Sequence, residues 1–515
     1  MIKKDNLKLA AVLSYITIII DSLYGILIIP YLISHLGTSE YGVYKIVTSF
    51  SGSLLTLDLG INGTMIRFIA KYKAMKDEKG VSNFAAIGLI ICGCMISVVL
   101  IVASVLYTRL TPLYGDSLTS GELTRLHQVF ILMVINVAAT MLSNALNGII
   151  GGMNGFSFSQ GVRAGRMILR CVGMTLIATF WKNAIGILAV DLIIVMTIDI
   201  LYFLIIKTRY KLKIHLYYWD KEIFKEAGKF TGLSFIQSVL NQFNGNLDNM
   251  IIGALIGTAA VSVYSIGLTL FNMFSAIATA LSGIMLPTVT NQIHSGGGRK
   301  PLEDTVIKLG RIQFCLLGAV LSGFWVVGKE FITLLYSAEY ITAWYVCVIL
   351  MTPALFYLII NVCLSILRAE NKMGFQTLAF AITAGLNLVI TYYGVKNFGI
   401  IAAAVGTAVS LVIVKLIAMT IYYIKSIKLD MIRIYRCILS RQWLCVVIAS
   451  VATGCMNRYL VEYSWIHLII KVAVYCVVYG SCQMLFGFNK SEKKLLFSLP
   501  IISQFVSKVK HDKRD

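Results

Sequence analysis

Apolar stretches of about 20 residues recur along the whole chain, and they limit the folds that it can adopt. Of its 515 residues, 58% are hydrophobic and only 13% are charged, and the mean hydropathy is +0.81. A helix of about 20 apolar residues spans the hydrocarbon core of a bilayer. Inside that core every backbone polar group needs an internal partner, which a helix supplies. The sequence therefore predicts an all-α polytopic membrane protein.

Fourteen such stretches occur, and their spacing divides the chain into five parts. We predict two pseudo-symmetric lobes of six transmembrane helices, a cytoplasmic amphipathic linker between them, two further spans and a basic cytoplasmic tail. The N-terminal lobe, linker, C-terminal lobe, further spans and tail cover residues 1–210, 211–229, 230–425, 426–488 and 489–515. The predicted spans are 9–33, 41–69, 83–107, 127–150, 158–180, 184–206, 230–252, 259–289, 305–327, 341–367, 374–395, 398–424, 442–460 and 465–487.

Lysine and arginine collect on one side of this predicted topology and account for the net charge of +21. About 33 of the 45 lie in loops that alternate to that side or in the adjoining helix ends, whereas about six lie on the other side. The positive-inside rule therefore predicts that both termini are cytoplasmic. Because basic loops also attract anionic lipids, the charge predicts no nucleic-acid partner.

Two stretches of the chain repeat one another at an offset of about 220 residues, HLGTSEYGVYKIVTSF (35–50) and LIGTAAVSVYSIGLTL (255–270). Two shorter echoes, MNGFSF with KMGFQT and KNAIGI with KNFGI, occur at similar offsets in equivalent topological positions. Spans 1–6 are therefore predicted to be duplicated as spans 7–12, in parallel repeats related by an axis along the membrane normal. We expect the hairpins at 37–44 and 257–264 to approach each other in an inward-facing state and to separate in an outward-facing one.

The second predicted span carries a more specific pattern. Its run LTLDLGINGTMIRFIAKY (55–72) has Asp58 and Gly60 within the helix and Arg67 and Lys71 at the inner end, and it resembles the bacterial polysaccharide transporters. These form a family within the multidrug/oligosaccharidyl-lipid/polysaccharide exporter superfamily, whose first outer loop is similar to LISHLGTSEYGVY (32–44). The resemblance covers nearly the whole chain. It implies a flippase that moves undecaprenyl-pyrophosphate-linked oligosaccharides across the bacterial cytoplasmic membrane, for capsule, O-antigen or exopolysaccharide biosynthesis.

Three cations in the predicted spans are candidates for binding the substrate. An ionisable side chain costs about 2.5–3.5 kcal/mol at the centre of a membrane helix, so its presence indicates a function or a partner. We expect Lys45, Arg67 and, more weakly, Lys415 to contact the pyrophosphate or acidic sugars. The alternative is that Lys45 anchors the outer interface and that Arg67 extends to the lipid headgroups.

Carboxylates in the same spans are candidates for coupling an ion gradient, or for balancing these cations when no substrate is bound. Asp21, Asp58 and Asp248 form this group, and Asp21 has no opposite charge on its own predicted helix. For Asp58 the alternative is a structural salt bridge, and for Asp248 it is an interfacial anchor. Asp191 and Asp199 are expected to pair within the first lobe.

Span 7 carries a polar face in the run QSVLNQFNGNLDN (237–249). Gln237, Asn241, Asn244 and Asp248 recur at intervals of three or four residues, which places them on one side of a helix. Amide side chains offer both donors and acceptors to sugar hydroxyls. We therefore predict that Gln237, Asn241 and Asn244 bind the glycan.

Signatures of an enzyme or a metal site are missing from the sequence. The eleven cysteines lie mostly in apolar runs without a CxxC pair, and the six histidines are scattered. The run SGGGRKPL (295–302) lacks the GxxxxGK[ST] spacing of a phosphate-binding loop. We therefore expect no cofactor, no metal and no catalytic residue, and transport driven by a gradient or by use of the product outside.

Other functions remain open from the sequence alone. A cation-coupled multidrug exporter of the same superfamily is disfavoured by spans 13 and 14 and by the intramembrane cations, which would repel cationic drugs. A flippase for the peptidoglycan precursor is a second alternative. A membrane glycosyltransferase or polymerase is a third, although the longest predicted outer loop (107–126) is short for a catalytic domain. The expected partners are the lipid-linked oligosaccharide, membrane lipids and, as candidates, a glycan polymerase or glycosyltransferases.

Reporter fusions test the predicted topology. Because basic loops are expected in the cytoplasm, fusions at Lys211 and Lys428 should report a cytoplasmic position, and fusions at Lys182 and Lys396 an external one. A fusion at the C-terminus should also report the cytoplasm. An external signal there would contradict the topology.

Overall fold

The computed structural model of the chain describes residues 20, 23–58, 60–212, 214–217, 246–284, 292–293, 298–370, 372, 374–489 and 492–493. All regular structure in these residues is helical. Ten helical stretches among them are long and apolar enough to cross a membrane, and each overlaps one of the predicted spans. The all-α polytopic class is thereby confirmed, and the total of fourteen spans stays a prediction.

The helices are numbered here in chain order. They are α1 (Ile29–Leu36), α2 (Thr38–Leu55), α3 (Ile61–Ala74), α4 (Glu78–Tyr114), α5 (Ser120–Gly152), α6 (Phe156–Phe180), α7 (Ala184–Thr208), α8 (246–255), α9 (Thr258–Ile284), α10 (Lys300–Tyr336), α11 (Thr342–Leu358), α12 (Cys363–Ala369), α13 (Gly374–Phe398), α14 (Ile400–Leu411), α15 (Met419–Tyr422), α16 (Met431–Leu439), α17 (Gln442–Met456) and α18 (Trp465–Cys482). Short 3-10 and π-helical segments precede, separate or follow some of them, at Tyr24–Ile28, Thr56–Asp58, Ala338–Tyr340, Val412–Ala418, Tyr423–Ile427 and Gln483–Gly487.

The helices pack into two compact units. The first unit comprises residues 1–269 and 376–410, and the second comprises residues 270–375 and 411–515. The chain therefore leaves the first unit within α9, returns to it for α13 and most of α14, and leaves it again. The boundaries of the two six-helix lobes stay a prediction.

Helix α5 lies at the centre of the first unit. It is 33 residues long and packs against α2, α3, α4 and α7. Gly148 and Gly152 let α3 approach closely, because a Cβ atom at either position would lie 2.6 Å from the Cβ of Met65 or Ile69. Small residues four apart serve this purpose in many membrane helix pairs, where close packing replaces the hydrophobic effect as the source of stability.

The second predicted span, 41–69, is not one continuous helix. Helix α2 ends at Leu55, a 3-10 turn follows at Thr56–Asp58, and α3 begins only at Ile61. Gly60, with a φ of +67°, adopts the left-handed conformation that glycine reaches at little cost. Asp58, at the end of the turn, is only 8% exposed. The break therefore places a carboxylate within the packed helices.

Helix α10 has the central position in the second unit. It is 37 residues long and packs against α11, α16, α17 and α18. Two buried ion pairs join it to the last part of the chain: Arg311 Nε lies 2.5 Å from Glu492 Oε1, and Lys471 Nζ lies 2.7 Å from Glu330 Oε2. Predicted span 14 and the segment after it are therefore bound into this unit by buried charges as well as by apolar packing.

Replacing one partner of the Lys471–Glu330 pair should destabilise the second unit. Lys471→Met leaves a buried carboxylate without its cation, which we expect to lower the free energy of unfolding by about 3–5 kcal/mol. The double variant Lys471→Met/Glu330→Leu should recover most of that loss, because both charges are then absent. The measurement is denaturant unfolding of the purified protein in detergent, with the exposed Arg458→Met as control. Equal losses in the single and double variants would contradict this account.

Candidate functional site

Two cations of the first unit lie among tyrosine rings. Lys45, on α2, has its Nζ atom 5.4 Å from the ring centre of Tyr41. Arg170, on α6, lies with Nε 3.3 Å from Asp191 Oδ1 and donates from Nη2 to the hydroxyl of Tyr44 at 3.4 Å. The expected pairing of Asp191 within this part of the chain is confirmed. Arg170 is thus balanced by a carboxylate, whereas Lys45 makes no ion pair with any residue that the structure describes.

The helix break holds a carboxylate that is only partly satisfied. Asn144 Nδ2, on α5, donates to Asp58 Oδ2 at 3.2 Å. Within the described part of the chain the other oxygen of Asp58 has no hydrogen-bond partner. Arg67 lies one and a half turns into α3, and its guanidinium carbon is 5.7 Å from the ring centre of Phe68. Interrupted helices at membrane depth are tolerated where they line a cavity or are buried in protein, so this break is a candidate binding position.

Asp248 is surrounded by side chains that donate hydrogen bonds to it. Tyr264 Oη donates at 2.5 Å and Thr407 Oγ1 at 2.7 Å to Oδ2, and Thr391 Oγ1 lies 3.3 Å from Oδ1. Asn387 completes the group, donating to Thr407 Oγ1 at 3.0 Å. We call these five residues the Asp248 ring. They come from α8, α9, α13 and α14, all within the first unit.

The Asp248 ring contains oxygen ligands and a single formal charge. Asp248 is 3% exposed, and no lysine or arginine among the described residues forms an ion pair with it. A buried carboxylate in such surroundings is stable either with a proton or with a bound cation. Hydroxyl, amide and carboxylate oxygens are the ligands that hard cations prefer. The ring therefore has the chemistry of a proton or monovalent cation site.

Lys415 belongs to the second unit. It lies in the π-helical segment Val412–Ala418, with Nζ 5.3 Å from the ring centre of Tyr357 on α11. Single π-helical turns within α-helices often occur at functional sites. The remaining candidates from the sequence lie outside the described residues: Asp21, Gln237, Asn241 and Asn244.

The two repeated hairpins are in contact in the first unit. Glu122 Oε1, on the first turns of α5, accepts from Ser39 Oγ and from Thr258 Oγ1, each at 2.5 Å. Ser262 Oγ donates to the carbonyl oxygen of Thr38 at 2.6 Å. At Gly42 a Cβ atom would overlap the backbone of Thr258, so only glycine permits this approach. The two stretches that resemble each other in sequence are therefore in contact, and the duplication of spans 1–6 as spans 7–12 stays a prediction.

Several residues of these groups could not be identified from the sequence. Tyr264, Thr391 and Thr407 are ordinary residues of membrane helices, and only the fold brings them to Asp248. The only sequence signal for a polar site on α13 was the spacing of Asn387 and Thr391, which are four residues apart and so share one helix face. Thr119 and Glu122 have the spacing of a capping box, which indicates where a helix begins. That spacing does not indicate that Glu122 contacts both hairpins.

The family comparison agrees with the helical architecture. A family model described as polysaccharide biosynthesis protein matches residues 8–292, which is more than half of the chain. A probable low-salt glycan biosynthesis flippase of Haloferax volcanii is 24% identical over 193 residues, covering 37% of this chain. The match spans 41% of that relative, or about two fifths of its length.

Two solved structures share the fold over most of the chain. A lipid II flippase, MurJ, in an inward closed conformation aligns with a TM-score of 0.70 at 15% identity, covering 93% of this chain and 98% of its own. A multidrug resistance MATE family transporter of the MOP superfamily, in an inward-facing conformation, aligns with a TM-score of 0.66 at 14% identity. That alignment covers 83% of this chain and 98% of the transporter. At these identities the likeness establishes the fold.

A crosslink between the two hairpins tests whether they must separate. Ser39 and Thr258 bind the same carboxylate oxygen, so cysteines at both positions should form a disulfide or accept a short crosslinker. We expect the crosslinked protein to lose transport and to regain it on reduction. The background needs the exposed native residues Cys94, Cys455 and Cys476 replaced by serine. Each single cysteine variant is the control, and full transport by the crosslinked protein would contradict a moving hairpin contact.

Proposed function

Because the chain belongs to the polysaccharide biosynthesis protein family, we propose that it is a flippase for undecaprenyl-pyrophosphate-linked oligosaccharide repeat units. Its place would be the bacterial cytoplasmic membrane, with both termini in the cytoplasm. Its products would serve capsule, O-antigen or exopolysaccharide biosynthesis. The observation that carries the proposal is the different pairing of two cations in the first unit. Arg170 has a carboxylate partner, whereas Lys45 has none among the described residues.

Lys45 and Arg67 would bind the phosphate groups of the substrate. Lys45 forms no ion pair with a described residue, and such a cation in an apolar helix bundle is costly, so an anion that enters the bundle is stabilised beside it. Lysine provides a compact charge, and arginine provides two parallel donors that match a phosphate. Lys415, in the second unit, is the weaker candidate. Gln237, Asn241 and Asn244 would bind sugar hydroxyls.

The Asp248 ring would couple transport to a gradient of protons or of another monovalent cation. Its carboxylate has hydroxyl donors and no described cation partner, so its occupancy responds to the ion concentration on the side to which it is open. Asp58 and Asp21 would balance the substrate-binding cations between transport cycles. The hairpin contact at Glu122 would open and close as access alternates from one side of the membrane to the other.

Drug export is the second candidate, and the fold of the MATE family transporter favours it. Lys45 argues against a cationic drug, because it has no carboxylate partner among the described residues and would repel the drug. The two candidates differ in one observable consequence. A glycan flippase that fails leaves lipid-linked oligosaccharide in the inner leaflet, whereas a failed drug exporter changes sensitivity to the drug alone.

The cation variants test the proposed substrate. Lys45→Ala and Arg67→Ala should each lower glycan export at least tenfold with unchanged protein levels, and lipid-linked oligosaccharide should accumulate. Arg67→Lys should recover part of the activity, because it keeps the charge and loses the paired donors. Arg458→Ala, at an exposed position after α17, is the control. Normal export by both alanine variants would show that Lys45 and Arg67 are interfacial anchors.

The coupling role of Asp248 has a separate test. Asp248→Asn keeps the size of the side chain and removes its charge, so export should lose its dependence on external pH or sodium. Asp116→Asn, on the exposed turn after α4, should leave that dependence intact. Thr407→Val should weaken the dependence, because one ligand of the ring is lost. An unchanged pH and sodium profile in Asp248→Asn would assign coupling to another group.

A further inference from the structure

A cavity of about 790 Å³ lies at one end of the first unit, outside all predicted spans. It is bounded by the end of α3, the first turns of α4, the connection from α5 to α6, and residues 210–212 and 217 after α7. Four lysines line it: Lys73, Lys76, Lys79 and Lys211. Its volume is within the range of sites that bind small molecules or headgroups. On the predicted topology this end faces the cytoplasm.

Hydrogen bonds within the protein join the walls of the cavity. The backbone N–H of Tyr217 donates to Asn83 Oδ1 at 2.7 Å, and that of His215 donates to Ser82 Oγ at 3.1 Å. Lys73 Nζ donates to the carbonyl oxygen of Met153 at 2.7 Å, and partial burial lowers the pKa of Lys73 from its ordinary value. The cavity is therefore preformed, and one of its cations is already partly removed from water.

The lining carries more positive than negative charge. Four lysines face the cavity against two carboxylates, Asp77 and Glu78. Asp77 is already engaged, because it accepts from the backbone N–H of Gly80 at 2.8 Å and caps α4. Among the described residues no ion pair involves Lys76, Lys79 or Lys211. The positive end of the α4 dipole adds to the same field.

Two of these lysines occupy backbone positions that suit glycine. Lys76 has a φ of 58° and Lys211 a φ of 49°, both in the left-handed region. A side chain at such a position carries a conformational cost that glycine or asparagine would lower. The positive-inside bias requires lysines in these loops, but it does not require them at positions with a positive φ. Lys182 and Lys428 adopt the same conformation without lining the cavity, so what distinguishes Lys76 and Lys211 is that they line one cavity with Lys73 and Lys79.

We propose that this cavity is a binding site for a phosphate group, carried either by an anionic lipid headgroup or by a soluble phosphate compound. Lys76, Lys79 and Lys211 supply ammonium donors to the phosphate oxygens, and the first turn of α4 supplies its dipole. Lys211 and Tyr217 belong to the segment that leads toward the second repeat. A bound phosphate therefore ties that segment to α3 and α4. The site is independent of the proposed transport function.

Footprinting of lysines tests this site on the unaltered full chain. The purified protein in an uncharged detergent is treated with an amine-acetylating reagent, with and without inorganic pyrophosphate or dihexanoyl phosphatidylglycerol. Acetylation of Lys76, Lys79 and Lys211 should slow at least fivefold, in a saturable manner. Lys428 is the matched control, since it is also exposed, has a φ of 60°, and does not line the cavity.

The choice of probes separates the two sources of phosphate. Protection by phosphatidylglycerol alone identifies a lipid headgroup, protection by pyrophosphate alone identifies a soluble compound, and protection by both identifies the phosphate as the recognised group. Each result supports the site. No protection by either probe, equal protection of Lys428, or equal protection by dihexanoyl phosphatidylcholine would overturn it.

Variants give a second measurement. The triple variant Lys76→Gln/Lys79→Gln/Lys211→Gln should lower the affinity for the protecting probe at least tenfold, and the corresponding arginine variant should keep it. Lys428→Gln should bind like the unaltered protein. Glycan export can be lost without any change in this binding, so failure of one proposal is distinguishable from failure of the other.

Discussion

The hydrogen bonds to the carboxylate of Asp248 are the interaction that holds two distant parts of the first unit together. Hydroxyl groups of Tyr264, Thr391 and Thr407 surround the carboxylate, and they come from three other helices. This ring joins residues 246–269 to residues 376–410, which the chain order separates by more than a hundred positions. A carboxylate buried among apolar helices requires such donors, because neither water nor lipid supplies them. The same requirement makes the ring responsive to a proton or a cation.

Other charged groups in the helices have partners to different degrees. Arg170 is balanced by Asp191, and in the second unit Arg311 is balanced by Glu492. Lys45 forms no ion pair with a described residue, although the ring of Tyr41 lies beside it, and one oxygen of Asp58 has no hydrogen-bond partner among those residues. Hydrogen bonds do not separate these groups, because Arg170 Nε and Asp191 Oδ1 also lack a partner among the described residues. Charge does: Arg170 has a carboxylate beside it, whereas Lys45 and Asp58 form no ion pair with a described residue. This distinction supports Lys45 and Asp58 over Arg170 as working residues of the proposed flippase.

Much of the helical architecture could be predicted from the sequence, because apolar length is a local property. All ten described membrane-length helices overlap predicted spans. The break at Gly60 could not be predicted, since one glycine in an apolar run is compatible with a continuous helix. The repeat indicated that the two hairpins are equivalent, but it held no information on Glu122, which lies in neither hairpin. The partners of Asp248 were equally inaccessible, because threonine is common in membrane helices and only tertiary packing selects Thr391 and Thr407.

Translocation in a purified system tests the central claim most directly. The protein is reconstituted into liposomes that carry a polyprenyl-pyrophosphate oligosaccharide in both leaflets, and an external glycosidase then digests the accessible sugar. With the flippase present, and an ion gradient across the membrane, digestion should pass beyond the outer-leaflet fraction and approach completion, and Lys45→Ala should stop at the outer leaflet. If digestion stops at the outer leaflet with the unaltered protein under proton and sodium gradients of either direction, the protein does not move lipid-linked oligosaccharides.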